Sequence, residues 1–150
     1  MREVDLTATV PNHSVCEVFD TLRDFPRYAN FSDAVRSVTI LKGDSGEVLS
    51  EWEVNFRSGV MRWTEQDRID SSVPEIVFRQ IEGDAKHFDG FWRFRECDEG
   101  CKVVFHANFD MGIPSLAEVI EPVAVHALLE NIESILRGFF GGSLLVEGKV

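Results

Sequence analysis

A single tyrosine, three cysteines, five prolines and fifteen basic residues against twenty-six acidic ones set the first limits on this chain of 150 residues. The shortage of Lys and Arg leaves a net charge of −11. That argues against nucleic acid as a partner, because non-specific affinity for phosphates comes from basic side chains displacing counterions. Anionic membrane surfaces are disfavoured for the same reason. No apolar run reaches the roughly twenty residues a membrane-crossing helix needs, and no charged-then-apolar segment opens the chain, so no membrane insertion is expected and a cytoplasmic location follows. Three scattered cysteines cannot build a disulfide framework. Cys97 and Cys101 flank the turn Asp98-Glu99-Gly100, but reduced thiols are expected in that compartment. There is no H-E-x-x-H, G-x-S-x-G, phosphate-cradling glycine loop or dinucleotide fingerprint, and the histidines lack metal-ligand spacing. No metal and no cofactor is implied.

What the chain has in quantity is phenylalanine: twelve, with three tryptophans. That suits the lining of a cavity and equally a Phe-rich core. Glu3 to Val10 alternates Val4, Leu6, Ala8 and Val10 with polar residues, the period of a half-buried strand. Ser14 and Glu17 have capping-box spacing ahead of a short amphipathic helix, Phe25-Pro26 breaks it, and a second short helix is expected near Tyr28 to Phe31. Six further strands follow, 35–42, 47–57, 60–70, 75–81, 87–96 and 101–110, each closed by a Gly- or Ser-containing turn. From Pro114 to Phe140, Leu116, Ile120, Ala124, Leu128, Ile132, Ile135 and Phe139 recur at helical spacing, with His126, Glu130, Glu133 and Arg137 opposite. Ser115 with Glu118 predicts the helix start. Pro122 predicts a break into a short and a long helix, and Gly138, Gly141 and Gly142 mark fraying.

The expected fold is therefore α+β: a curved seven-stranded antiparallel sheet wrapped around a long C-terminal helix, with two short helices between the first two strands. Residues 1–140 form the domain and 141–150 a flexible tail. A sheet curled around a helix leaves a hollow, so strand parity is asked which polar side chains face it. Arg79 shares a face with Val77 and Ile81, where an arginine is costly unless ion-paired or in contact with a ligand. Arg68 shares a face with Arg62, Thr64 and Gln66, which reads as solvent-facing. Asn131 borders the helix's apolar stripe. His106 reads as a satisfied sheet residue, and Glu65, Asp67 and Asp70 as solvated acids or partners for the arginines.

The order of elements, with Phe25-Pro26, Phe31-Ser32-Asp33, Gly59 to Arg68, Phe78-Arg79 through Gly83 to Trp92-Arg93-Phe94, Phe109-Asp110-Met111 and Asn131, resembles the helix-grip superfamily of START lipid-transfer domains and polyketide aromatase/cyclases. The resemblance spans Val4 to about Phe140. It implies an aromatase/cyclase acting on a poly-β-keto chain carried by an acyl carrier protein, with regiospecific aldol cyclisation and dehydration. It places Arg68 inward at the cavity floor, against its parity, with Arg79 and Asn131 as further polar cavity groups. An arginine there would polarise a carbonyl and stabilise the developing enolate or alkoxide. Ala34 stands where those cyclases have a tyrosine, leaving Tyr28 as the nearby phenol for proton transfer. Trp63, Phe78, Phe88, Trp92, Phe105, Leu128 and Ile135, with Asn131, form the implied substrate-binding wall. Arg57, Arg62 and Lys86 are the implied basic mouth for the acidic carrier protein, and the chain is expected as a monomer or homodimer. Lys86 to Phe94 is equally similar to coenzyme Q-binding START-like proteins, which implies the alternative of a non-catalytic lipid or isoprenoid quinone carrier. A client-binding or regulatory role is the third reading.

Overall fold

The computed structural model describes residues 1–44, 46–56, 59–112 and 117–149, with the backbone alone for 117–121. Its strands are β1 (Arg2–Pro11), β2 (Val35–Gly43), β3 (Glu47–Phe56), β4 (Gly59–Asp70), β5 (Glu75–Gly83), β6 (His87–Cys97), β7 (Gly100–Asp110) and β8 (Leu145–Lys149). They form one sheet in the order β2-β3-β4-β5-β6-β7-β1-β8, antiparallel throughout. Between β1 and β2 lie α1 (Val15–Leu22), a 3₁₀ turn (Phe25–Arg27) and α2 (Tyr28–Phe31). The helix α3 (Ala117–Phe140) crosses the concave face. This is the helix-grip architecture expected, with α1 opened by the Ser14–Glu17 capping box.

Three details differ from the sequence reading. The sheet has eight strands, not seven. The extra one, β8, comes from the segment 141–150 expected to be a tail. It is too short and too polar to announce itself, but β1 offered an unpaired edge, and side chains secure it: Thr9 donates to Glu147, Lys102 Nζ lies 2.9 Å from Glu147, and Lys149 Nζ 2.9 Å from Glu133 of α3. Second, α3 runs unbroken through Pro122. Pro122 removes the backbone bond to residue 118, with one turn of helix ahead of it and the rest of α3 after it unaffected. Ser115 lies outside the described residues, as does the side chain of Glu118, and with them the expected capping box. Third, Gly138 does not mark fraying. It sits inside α3, where a Cβ would come 1.8 Å from the Phe31 carbonyl oxygen, so only glycine lets α2 pack this closely.

The core is built from inward parity. Val4, Leu6, Ala8 and Val10 of β1, Val103, Phe105, Ala107 and Phe109 of β7, and Leu128, Ile132, Ile135 and Leu136 of α3 are all buried. Gly90 of β6 helps the sheet bend, because a Cβ there would stand 1.9 Å from the His106 carbonyl oxygen of β7. The cysteines are free. Cys97 pairs in register with Gly100 and Glu96 with Cys101, so the two thiols are not opposite each other.

Candidate functional site

Between α3 and the concave face of the sheet is a hollow lined by Phe25, Tyr28, Trp52, Trp63, Glu65, Phe78, Phe88, Trp92, Phe105, Leu128, Asn131 and Ile135, among others. Its walls are aromatic pairs. Trp52 and Trp63 stack at 5.7 Å and 4°, Trp63 meets Phe88 edge-on at 5.4 Å, and Trp92 meets Phe105 edge-on at 4.8 Å. Phe78 lies 5.1 Å from Phe88 and 5.8 Å from Phe105. The free space is about 60 Å³. A water needs roughly 10–15 Å³ on this measure, and ligand pockets run to roughly 300–1,000 Å³. A large ligand therefore enters only by moving rings apart.

The structure brings together every aromatic and aliphatic residue of the expected wall: Trp63, Phe78, Phe88, Trp92, Phe105, Leu128 and Ile135. Asn131 borders the same space, with its Nδ2 donating to the Asn55 carbonyl at 2.8 Å, which ties α3 to β3. Tyr28 is buried in the wall, and its hydroxyl donates to the Leu22 carbonyl at 2.6 Å. Burial raises its pKa well above the ordinary value, and the nearby charges of Glu65, Asp67 and Asp24 push the same way. The phenol is therefore neutral and its proton already engaged.

Neither arginine is there. Arg68 faces out from β4 with its side chain 65% exposed, 3.8 Å from Glu75. Strand parity had this right, and the inward placement implied by resemblance is corrected. Arg79 also faces out, its Nη2 donating to Gln66 Oε1 at 3.1 Å. The apolar neighbours that suggested burial lie on the solvent side of β5, where Ile81 is 49% exposed, whereas Ile76 and Phe78 are buried. Of the basic mouth, Lys86 is exposed, Arg62 is paired with Glu53 at 3.4 Å, and Arg57 lies outside the described residues. His106 is held by Asp5 at 2.7 Å and stacks on Phe91 at 5.2 Å.

Among the described residues the charged groups that face inward are two acids, read from the sequence as solvated or as partners for the arginines. On β4 the buried positions are Met61, Trp63, Glu65, Asp67 and Ile69. Glu65 is 4% exposed and Asp67 0%. Trp63 Nε1 donates to Glu65 Oε1 at 2.7 Å, Ser50 donates to Asp67 Oδ2 at 2.6 Å, and Trp52 Nε1 donates to Ser50 at 2.9 Å. The two carboxyls stand two residues apart on the same inward face of β4 and act on each other's ionisation. Among the described residues Asp67 Oδ1 has no hydrogen-bond partner. Burial, followed by the Asp67 charge, raises the Glu65 pKa well above the usual carboxylate range. Burial raises that of Asp67 too, against its hydrogen bonds. Strict alternation from Trp63 was the signal that could have found this pair. Among the described residues, no cluster of three or more His, Cys, Asp or Glu is arranged to hold a metal ion.

Residues 11–136 match the family model for polyketide cyclase/dehydrase and lipid transport. The chain belongs to this polyketide cyclase/dehydrase and lipid-transport family. No curated protein matches it. Among solved structures, it is similar to the Thermus thermophilus protein TTHA0849, with 22% identity, a TM-score of 0.82, and 91% of this chain and 93% of that one covered. It is also similar to the Zhui aromatase/cyclase of Streptomyces sp. R1128, with 21% identity, a TM-score of 0.76, and coverage of 90% and 91%. A START superfamily protein of Mycobacterium smegmatis shares 12% identity with a TM-score of 0.77 and coverage of 92% and 96%. At these identities the likeness shows the cyclase/dehydrase family's helix-grip fold. Among the described residues no helix is long and apolar enough to cross a membrane.

Proposed function

We propose that this chain receives an apolar, carbonyl-rich chain from an acyl carrier protein in the space under α3 and directs its regiospecific aldol cyclisation and dehydration. The observation that carries the reading is the wall itself, a ring of interlocked tryptophan and phenylalanine faces with few polar groups. Poly-β-keto chains cyclise unaided but to many products. Selectivity then comes from holding one carbon pair in contact, which stiff aromatic walls can do through shape. The solvent-facing guanidiniums of Arg68 and Arg79 have no part in it. The test is reconstitution of the purified protein with a minimal ketosynthase and carrier protein, followed by mass spectrometry of the products. One dominant cyclised product, rerouted by Trp92→Ala, is expected. A product mixture identical to the reaction without the protein overturns the reading.

The same apolar wall supports a second reading, a carrier of a lipid or isoprenoid quinone that performs no chemistry. Native mass spectrometry of gently purified protein distinguishes the two: a co-purified quinone supports carriage, and its persistent absence counts against it.

A further inference from the structure

We propose that Glu65 and Asp67 share a single proton and that Glu65 is the catalytic residue of the hollow, donating that proton to, and accepting one from, a bound β-hydroxy ketone or its parent ketone. The proposal deepens the reading above, since it requires that the occupant carry a carbonyl.

The geometry is specific. Glu65 alone of the pair lines the hollow, with Asp67 behind it at 0% exposure. Trp63 fixes one oxygen of Glu65, and Ser50, itself held by Trp52, fixes one oxygen of Asp67. Among the described residues Asp67 Oδ1 is left with no donor, which the shared proton would supply. Two carboxyls buried on one face of a strand with no ion pair to either disfavour each other's ionisation, which is the ground for placing a single proton on the pair. A neutral carboxylic acid in an apolar site can donate a hydrogen bond to a ligand carbonyl, which a solvated carboxylate cannot do. The titratable group from another element that interacts with the pair, among the described residues, is Tyr28 of α2, whose own proton is engaged by the Leu22 carbonyl. Among the described residues neither carboxyl is ion-paired with Lys, Arg or His, and Arg68, the next residue along β4, turns away.

A one-proton pair suits dehydration of an aldol product. With the proton on Asp67, the Glu65 carboxylate takes the α-hydrogen. The C–H electron pair becomes the new carbon–carbon double bond as the Cβ–O bond breaks, and the departing hydroxide leaves as water with a proton from the pair. The pair gains one proton and gives one, ending as it began, and no oxidant or reductant is consumed. Asp67 acts through Glu65 and is a positioning residue.

Two measurements on the whole chain test this. Infrared difference spectra of the wild type against Glu65→Gln need no ligand; a C=O stretch of a protonated carboxylic acid at neutral pH, lost in the variant, is expected. Its absence overturns the shared proton whatever the hollow binds. The second uses 2-acetylnaphthalene as the probe, with binding followed by fluorescence and α-deuterium wash-in from heavy water followed by NMR. Wild type is expected to speed the exchange. Glu65→Gln, which keeps the shape and the Trp63 contact, is expected to bind the probe within about twofold and lose at least tenfold of the exchange. Asp67→Asn is expected to move the exchange pH profile to lower pH, because removing the neighbouring charge lets Glu65 ionise sooner. Undiminished exchange in Glu65→Gln with binding intact overturns the proposal. Failure of the wild type to bind the probe, with the infrared band present, removes the carbonyl-ligand reading instead and leaves the one-proton pair standing.

Discussion

The two faces of β4 carry opposite charge. Outward stand Arg62 and Arg68, exposed and each within reach of an acid; inward stand Glu65 and Asp67, buried and, among the described residues, ion-paired with no cation. Charge on the outer face is cheap to solvate and of little consequence for stability. Charge on the inner face is so costly that the pair retains a proton, and the cost is limited by hydrogen bonds from Trp63 and Ser50. The polar character of the hollow is therefore that of a weak acid, which donates and accepts protons, and not of a fixed cation. That directs attention toward proton transfer and away from carbonyl polarisation by a guanidinium.

The comparison breaks most visibly at Trp63. Trp63→Ala empties part of the inner wall and strips Glu65 of its donor, and should cost about 3–5 kcal/mol, read from urea midpoints. Next in size is the pH dependence of the inner face. Because Glu65 titrates higher in the folded state than in the unfolded chain, the folded protein binds more protons over that interval. Stability is fully present below the ordinary carboxylate pKa and declines as pH rises toward the raised value, by up to about 1.4 kcal/mol for each pH unit from one proton. Urea unfolding followed upward in pH from the ordinary carboxylate pKa should show this slope in the wild type and a flatter one in Glu65→Gln. An equal slope in both would mean that the inner pair is ionised like the outer acids. Smaller again is Tyr28→Phe, which leaves the buried Leu22 carbonyl without its donor. It should destabilise by about 1–2 kcal/mol in the same assay, with no loss of probe exchange if the phenol is only structural.

The strands and α1 were legible because their periodicity and punctuation agree: alternation runs cleanly, and each strand ends at a turn residue. The aromatic wall was legible for a related reason. Phe78, Phe88, Trp92 and Phe105 each sit on the buried parity of a strand, and parity survives unless a bulge intervenes. Where the sequence misled, two signals competed. On β5 both faces are partly apolar, so Arg79 looked buried when Val77 and Ile81 in fact face outward. On β4, resemblance moved Arg68 inward by one position, against an alternation that Trp63, Glu65, Asp67 and Ile69 keep without interruption. Glu65 and Asp67 read as solvated acids or partners for the arginines, although the alternation from Trp63 puts them inward; a pair that shares a proton escapes the cost of burying two ionised carboxylates. Residues 145–149 escaped notice because pairing at an open edge depends on what the edge offers, not on the propensity of five residues.

The smallest expected effect belongs to Arg68→Ala, and it separates the two faces most cleanly. The guanidinium is 65% exposed, and its contact with Glu75 is long at 3.8 Å, while Arg93 already holds the same carboxylate at 2.7 Å. Deleting an exposed partner from a doubly held acid should change stability by less than about 0.5 kcal/mol. It should also leave product profile, probe binding and exchange rate unchanged, since no atom of Arg68 reaches the hollow's wall. Parallel assays of Arg68→Ala and Glu65→Gln in the reconstituted synthase set one face against the other. A rerouted product from Arg68→Ala would require β4 to turn by one residue in the complex with the carrier protein. That shift would carry Glu65 and Asp67 out to solvent as it brought the arginine in, because neighbours on a strand cannot share a face. The protonated-acid infrared band would then vanish in the same complex, so the two observations must move together.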